Sequence, residues 1–311
     1  MGKIAFIFAG QGAQAVGMGK ELCENFECAD RIFEEATKAL GFDIKDMIFN
    51  GDAETLMITE NTQPTIVTMS VAVYEVLKEK GIKPDVVAGL SLGEYSAHIA
   101  SGSMSFSDGV KLVKKRGRFM QEEVAPGVGQ MAAIIALSPE AVIEACSEVS
   151  DIGICEPANF NCPGQIVISG EKAAVEKCCE LCKEKGAKRA LPLAVSAPFH
   201  CSMLKGAGEK LGKELEGVNI SDMTIPVVTN VTADYVENKD AIKELLVRQV
   251  YSSVKWEESI VRMINDGVDT FIEVGPGKAL SGFVKKISKD VSVYNVEDMA
   301  SLNAALEGLN K

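Results

Sequence analysis

The 311-residue sequence lacks a basic surplus, a long apolar run and an even number of cysteines. Its 32 Lys and Arg against 44 Asp and Glu give a net charge of -12, which argues against nucleic acid as a partner because a phosphate backbone requires a concentrated basic surface. No run approaches the roughly 18 apolar residues of a membrane-spanning helix, and the opening run 4–9 is too short for a signal-peptide core. Nine cysteines without a secretory leader indicate reduced thiols. We therefore expect a cytoplasmic protein that does not bind membranes.

Length and composition predict a globular protein with more than one domain. A chain of 311 residues exceeds the size at which one core keeps growing, so we expect a large domain and a smaller one. Hydrophobic residues make up 47% and charged residues 24%, values that fit neither a disordered chain nor a coiled coil.

Strand-like and helix-like segments alternate along the chain, a pattern typical of a parallel sheet covered by helices. Residues 3–9 and 85–89 read as strands and residues 64–80 as a helix, with Pro64 in its first turn and Gly81 at its exit. From residue 130 the order becomes βαββαβ, which predicts a ferredoxin-like unit inserted at residues 127–197. Residues 1–126 and 198–311 would form the large α/β domain, closing on a strand at 270–274.

The pentapeptide Gly89-Leu90-Ser91-Leu92-Gly93 matches the G-x-S-x-G nucleophile elbow. In that motif a serine lies on a tight turn between a strand and a helix, and the flanking glycines leave room for the turn. An apolar strand precedes the motif here and a helix-competent segment, residues 94–100, follows it. A structural turn is the alternative, and the context favours a nucleophile.

A serine nucleophile needs a base, and the chain has only two histidines. His98 lies seven residues after Ser91 on the same predicted helix, about 10 Å away along the axis, and we expect it to be a partly buried helix-face residue. His200 follows the inserted unit, after Pro198 and Phe199, and is the better candidate for the general base.

Arg116 lies on the apolar side of a predicted helix at residues 108–121. The other cations of this helix form one solvated stripe, whereas Arg116 falls among apolar residues. A buried guanidinium must have a partner. Two interpretations stay open: a salt bridge to a core carboxylate, or a bidentate clamp for a substrate carboxylate.

These features, taken together, resemble the acyltransferase family of fatty acid and polyketide synthesis, the malonyl-CoA:acyl carrier protein transacylases. The resemblance runs nearly end to end. It is carried by the elbow and by Gly10-Gln11-Gly12-Ala13-Gln14, Arg116-Gly117, Ala158-Asn159-Phe160-Asn161-Cys162-Pro163-Gly164-Gln165, Pro198-Phe199-His200, Arg248-Gln249 and Glu273-Val274-Gly275-Pro276-Gly277. The family has an α/β-hydrolase-like domain with a ferredoxin-like insertion.

The resemblance implies a ping-pong transfer of malonyl from malonyl-CoA to acyl carrier protein through Ser91, with His200 as base. The backbone amides of Gln11 and Leu92 would form the oxyanion hole, and Arg116 would hold the malonyl carboxylate. A main-chain carbonyl near Gln249 would orient the histidine in place of an acidic residue. No metal or organic cofactor is implied. The carrier could belong to fatty acid or polyketide synthesis.

Two positions bear on acyl selectivity. Leu90 stands where the family often has histidine, so the contact that this histidine makes near the acyl group is absent here. Phe199 resembles the residue found at this position in malonyl-selective acyltransferases, so we expect malonyl to be the acyl group transferred.

An acidic carrier protein would need a local cationic patch on this acidic enzyme. The candidates, which resemble docking positions proposed for the family, are Lys188, Arg189, Lys285 and Lys286; ordinary solvated charges are the alternative.

Three other functions are weaker. An ordinary esterase would use the same elbow but explains neither Arg116 nor the insertion. A dinucleotide-binding loop at residues 10–15 lacks the second strand it requires. A carrier-binding module without activity would not need Ser91, His200 and Arg116 together. The C-x-x-C pair of Cys179 and Cys182 has no matching second pair, and we expect ordinary core or surface thiols.

Overall fold

The computed structural model describes residues 2–195 and 197–309. Its strands are β1 (Lys3–Phe8), β2 (Val86–Gly89), β3 (Gly129–Ile135), β4 (Cys155–Cys162), β5 (Gln165–Glu171), β6 (Arg189–Pro192), β7 (Val227–Val228), β8 (Val268–Val274) and β9 (Ser292–Val296).

The described residues also form fourteen α-helices. They are α1 (Lys20–Asn25), α2 (Glu27–Leu40), α3 (Ile44–Asn50), α4 (Ala53–Met57), α5 (Thr59–Glu79), α6 (Gly93–Ala100), α7 (Phe106–Glu122), α8 (Pro139–Glu148), α9 (Lys172–Glu184), α10 (Lys205–Glu216), α11 (Lys239–Tyr251), α12 (Trp256–Asn265), α13 (Ala279–Ile287) and α14 (Met299–Leu309). None of them is both long and apolar enough to span a bilayer.

The strands form two separate sheets in an α/β fold. The first has the order β7-β2-β1-β8-β9, and all of its pairs are parallel. The second has the order β4-β5-β3-β6, and all of its pairs are antiparallel. The carboxyl ends of β1 and β2 lie side by side, since Phe8 is in register with Gly89. This edge carries the candidate site.

The cores follow from the sequence pattern. Strand β1 is buried from its second residue onward, as expected for a central parallel strand. One face of the antiparallel sheet packs on α8 and α9, with Ile134 and Ile168 in that small core. Its other face contributes Met131, Ala133 and Val167 to the main core. The antiparallel sheet therefore has a face turned toward the parallel-sheet part of the molecule.

Two predictions about the elements are wrong. Pro64 lies inside α5, which begins five residues earlier at Thr59, rather than in its first turn. The parallel sheet does not close on the predicted strand 270–274, because β9 pairs in parallel with the outer side of β8. Strand β9 is only partly buried along most of its length, so its hydrophobic signal is weak. Gly81 has φ of 79°, as the predicted left-handed exit requires.

Candidate active site

Ser91 lies on a sharp turn between β2 and α6. Its φ of 52° is in the left-handed region, which costs energy for a residue with a side chain. A Cβ on Gly89 would overlap the backbone of Gly93, and one on Gly93 would overlap the carbonyl of Phe8. Both glycines are therefore required for the strand and helix to approach this closely, as the motif predicts.

Asn230 fixes the turn from outside the motif. The backbone N–H of Ser91 donates to its Oδ1 at 2.6 Å, and its Nδ2 donates to the carbonyl of Gly89 at 2.7 Å. One buried amide thus bonds both the nucleophile and the glycine that begins the elbow. The sequence analysis did not find this residue.

His200 contacts the nucleophile directly. Its Nε2 lies 2.6 Å from Ser91 Oγ, and its Nδ1 lies 2.8 Å from the main-chain carbonyl of Gln249. A carbonyl only accepts, so Nδ1 carries the proton and Nε2 is free to accept from the serine hydroxyl. Burial first, and the nearby charge of Arg116 second, lower the pKa of His200 to about 4. The imidazole is therefore neutral near pH 7.

His98 is placed away from this chemistry. Its Nδ1 lies 3.0 Å from Ser103 Oγ, and its Nε2 has no hydrogen-bond partner among the residues described. The side chain is fully buried, so the prediction of partial burial is wrong.

Arg116 reaches the site from α7. Its Nη2 donates to Ser91 Oγ at 3.2 Å and to Gln249 Oε1 at 3.0 Å, and its Nη1 donates to Gln63 Oε1 at 3.0 Å. The residue is only 1% exposed. No carboxylate within the described ranges lies within ion-pair distance of it, so the salt-bridge alternative has no partner there.

A polar network joins Arg116 to the elbow. The Gln249 Nε2 donates at 2.9 Å to the Ser91 carbonyl and to Glu94 Oε2, and Glu94 Oε2 also accepts from the Asn230 N–H at 2.9 Å. Glu94 is fully buried, and burial raises its pKa to about 7 against the lowering effect of these bonds and of Arg116. Sequence reasoning missed Glu94, although a carboxylate in the apolar segment 93–100 was a signal for it.

The two expected oxyanion donors lie at the edge where β1 and β2 end. Gln11 follows Gly10, whose Cβ position would be only 2.8 Å from the Leu90 carbonyl oxygen, so this loop touches the elbow. Leu92 directly precedes α6. Within the described chain, neither backbone N–H donates a hydrogen bond. Both are available to an incoming oxygen.

A cavity of about 500 Å³ opens over Ser91, a size suited to a small-molecule ligand. Loops of the parallel sheet form one wall, and the other wall consists of Met131 and Val167 of the antiparallel sheet and Leu193 just after β6. Leu90 and Phe199 both line it. Among its described lining residues, Arg116 is the single formally charged one, since His200 is neutral.

The four docking candidates lie at one end of the antiparallel sheet and are exposed. Lys286 Nζ lies 3.4 Å from Gln165 Oε1, and Gln165 and Arg189 both pair with Ile135 from opposite sides. Residues in one cross-strand register share a face. This face also carries Val167 of the cavity, two residues along β5 from Gln165. Lys188 directly precedes Arg189, and Lys285 precedes Lys286 on α13.

The comparison with family models matches residues 5–304 to the acyl transferase domain. The chain belongs to this acyltransferase family. The acyltransferase is 50% identical over 312 residues to the malonyl CoA-acyl carrier protein transacylase of Bacillus subtilis (strain 168), covering 100% of this chain and 98% of the relative. It is 45% identical over 308 residues to the protein of the same name from Escherichia coli (strain K12), covering 99% of this chain and 100% of the relative.

Solved structures agree with the whole fold. The crystal structure of a malonyl CoA-acyl carrier protein transacylase from Clostridium perfringens Atcc 13124 superposes with a TM-score of 0.97 at 52% identity, over 99% of this chain and 97% of that chain. A malonyl-transacylase in complex with a type II PKS acyl-carrier protein matches with a TM-score of 0.96 at 44% identity, over 98% and 99% of the two chains. The predicted family and enzyme class are therefore confirmed.

Proposed function

We propose that this acyltransferase moves the malonyl group from malonyl-CoA to the phosphopantetheine thiol of an acyl carrier protein, feeding fatty acid synthesis. The observation that carries the proposal is the contact of Ser91 with both His200 and Arg116 in one cavity. The neutral imidazole of His200 can activate the Ser91 hydroxyl, and the buried guanidinium of Arg116 can bind a substrate carboxylate. The names of relatives that match over nearly their whole length point to malonyl-CoA as the thioester donor and to an acyl carrier protein as the acceptor.

In the first half-reaction Ser91 Oγ attacks the malonyl thioester carbonyl while His200 Nε2 takes the hydroxyl proton. The Gln249 carbonyl holds the Nδ1 proton of the resulting imidazolium, in place of an acidic third residue. The N–H groups of Gln11 and Leu92 stabilise the oxyanion, a contribution of about 2.7 to 4 kcal/mol per donor. The C–S bond then breaks, and the CoA sulfur leaves with the proton from His200.

The second half-reaction runs the same steps in reverse. The carrier thiol gives its proton to His200 and attacks the malonyl-Ser91 ester; the ester C–O bond breaks and Ser91 regains the proton. The chemistry uses only protein groups and two thiols, so the proposal calls for no metal or organic cofactor.

The role of Arg116 is to bind the malonyl carboxylate. Its Nη2 already donates to Ser91 Oγ, so a carboxylate two bonds from the attacked carbonyl can reach the same guanidinium. Gln63 and Gln249 hold the guanidinium from behind without neutralising it. A carboxylate that enters the cavity meets a cation that has no carboxylate within ion-pair distance in the described structure.

We also propose the finer fold assignment. The βαββαβ order of β3 to β6, with sheet order β4-β5-β3-β6, supports a ferredoxin-like unit at residues 127–197. The elbow after β2 supports an α/β-hydrolase-like domain formed by residues 1–126 and 198–311. Nine free cysteines, eight of them buried, support a cytoplasmic location. The exposed cations Lys188, Arg189, Lys285 and Lys286 would receive the acidic carrier.

The direct test is the mass of the protein after incubation with malonyl-CoA. The wild-type chain should gain one malonyl group, and Ser91→Ala should gain none and transfer none. If the Ser91→Ala protein still gains the mass of a malonyl group, the proposal is wrong. The ratio of thiol transfer to hydrolysis separates this function from that of an esterase, which would release free malonate even with carrier present.

A further inference from the structure

Four cysteines from three elements meet under the antiparallel sheet, remote from the catalytic cavity. Cys146 lies on α8, Cys155 on β4, and Cys178 and Cys182 on α9. Cys146 Sγ is 3.8 Å from Cys155 Sγ and 3.7 Å from Cys178 Sγ, and Cys178 Sγ is 4.0 Å from Cys182 Sγ. None of the four lines the cavity over Ser91.

The spacing fits sulfur atoms around one metal ion. The sulfur atoms of Cys146, Cys155 and Cys178 all lie within 4.8 Å of one another. Zinc–sulfur bonds of about 2.3 Å in a tetrahedron give sulfur–sulfur edges of about 3.8 Å. The two shortest contacts match that edge, so three ligands need little rearrangement. Cys182, whose sulfur is 4.0 Å from that of Cys178, lies outside this group and must move closer to the other two to provide the fourth sulfur.

The four sulfur atoms lie in a closed apolar core. All four side chains are buried, and residues such as Val142 and Val175 enclose them, so water does not compete. The sulfur of Cys146 takes part in both of the shortest contacts, so it lies at the centre of the cluster.

We propose that Cys146, Cys155 and Cys178 bind one Zn²⁺ ion as thiolates, with Cys182 as the fourth sulfur. Binding releases the thiol protons and replaces them with one divalent ion. The ion joins α8, β4 and α9, and thereby stiffens the sheet whose opposite face lines the catalytic cavity. The site has no part in acyl transfer. Its ligands do not include Cys179, so the C-x-x-C pair does not identify it.

The experiment titrates zinc into the reduced, metal-free full-length chain in competition with a chromophoric chelator. The wild type should bind one zinc per chain, and its thermal midpoint should rise. Cys146→Ser should lose this binding because it removes the sulfur shared by the two shortest contacts. Cys182→Ser should weaken the binding but not abolish it, because it removes the fourth sulfur and leaves the other three.

Cys179→Ser is the matched control, since it removes another buried thiol from the same helix and should leave one zinc bound. Malonylation of Ser91 reports whether each variant is folded. If Cys146→Ser does not fold, cadmium added to the wild type gives a second measurement: thiolate-to-metal ultraviolet absorption should saturate at one ion with three or four thiolates. No zinc retained against the chelator, equal binding by Cys146→Ser, or a cadmium signal of only one or two thiolates would overturn the site.

Discussion

Removing the Arg116 guanidinium should change which acyl group the enzyme prefers. A hydrogen bond to a charged group contributes roughly 1.5 to 3 kcal/mol. Acetyl offers no carboxylate to this residue, so Arg116→Ala should lower the malonyl-to-acetyl ratio of kcat/KM by about 10- to 150-fold. Arg116→Lys should recover only part of the ratio, because lysine keeps the charge and loses the planar fork.

The same substitution also affects stability. Arg116 donates to Gln63 Oε1 and Gln249 Oε1, both on fully buried side chains. Leaving a buried acceptor unsatisfied costs about 1 to 3 kcal/mol, so Arg116→Ala should also lower the free energy of unfolding. This loss acts on both substrates alike and cancels in the ratio.

The assay measures kcat/KM for malonyl-CoA and acetyl-CoA with each variant, with thermal unfolding alongside. Arg118→Ala is the matched control, since Arg118 is exposed and lies two residues away on α7. It should leave both specificity constants unchanged. A folded Arg116→Ala enzyme with an unchanged malonyl-to-acetyl ratio would refute the carboxylate assignment and leave the Ser91 chemistry intact.

Three further predictions follow from the geometry. His200→Ala should lose most activity, whereas His98→Ala should mainly lower stability; equal losses of rate in two folded variants would show that the base is misassigned. Burial lowers the pKa of both histidines from 6.5 to about 4, so the stability that they contribute is lost as pH falls from 6.5 to 4. Burial raises the pKa of Glu94 from 4.5 to about 7, so the stability that it contributes is lost as pH rises through this range. Glu94→Gln should therefore steepen the rise of unfolding free energy with pH between 4.5 and 6.5 in urea titrations, and an unchanged slope would contradict the assignment. Reversing Lys285 and Lys286 to glutamate should raise the KM for the carrier protein and leave that for malonyl-CoA nearly unchanged; equal changes would argue against docking there.

The parts of the site that lie close in sequence were predictable. The elbow is a five-residue pattern, and the backbone strain and close contacts at Ser91 follow from it. His200 was predictable for a different reason: the chain has two histidines, and helix rise places His98 too far from Ser91.

The supporting network was not predictable in the same way. Asn230 meets Ser91 across 139 residues, and the Gln249 amide meets the Ser91 carbonyl across 158. Neutral amides give no charge or periodicity signal, so only the folded chain identifies their partners. Strand β9 was missed for a different reason, because it is only partly buried along most of its length and its hydrophobic signal is weak.

The nucleophile and its base both occupy left-handed backbone, with φ of 52° at Ser91 and 60° at His200. Such conformations cost of order 1 to 3 kcal/mol each for residues with a side chain, and glycine adopts them without that penalty. A chain carrying glycine at position 91 would be inert and yet harder to unfold than one carrying alanine. The turn alone would therefore favour glycine at this position, and the presence of serine there is explained by the reaction and not by the backbone.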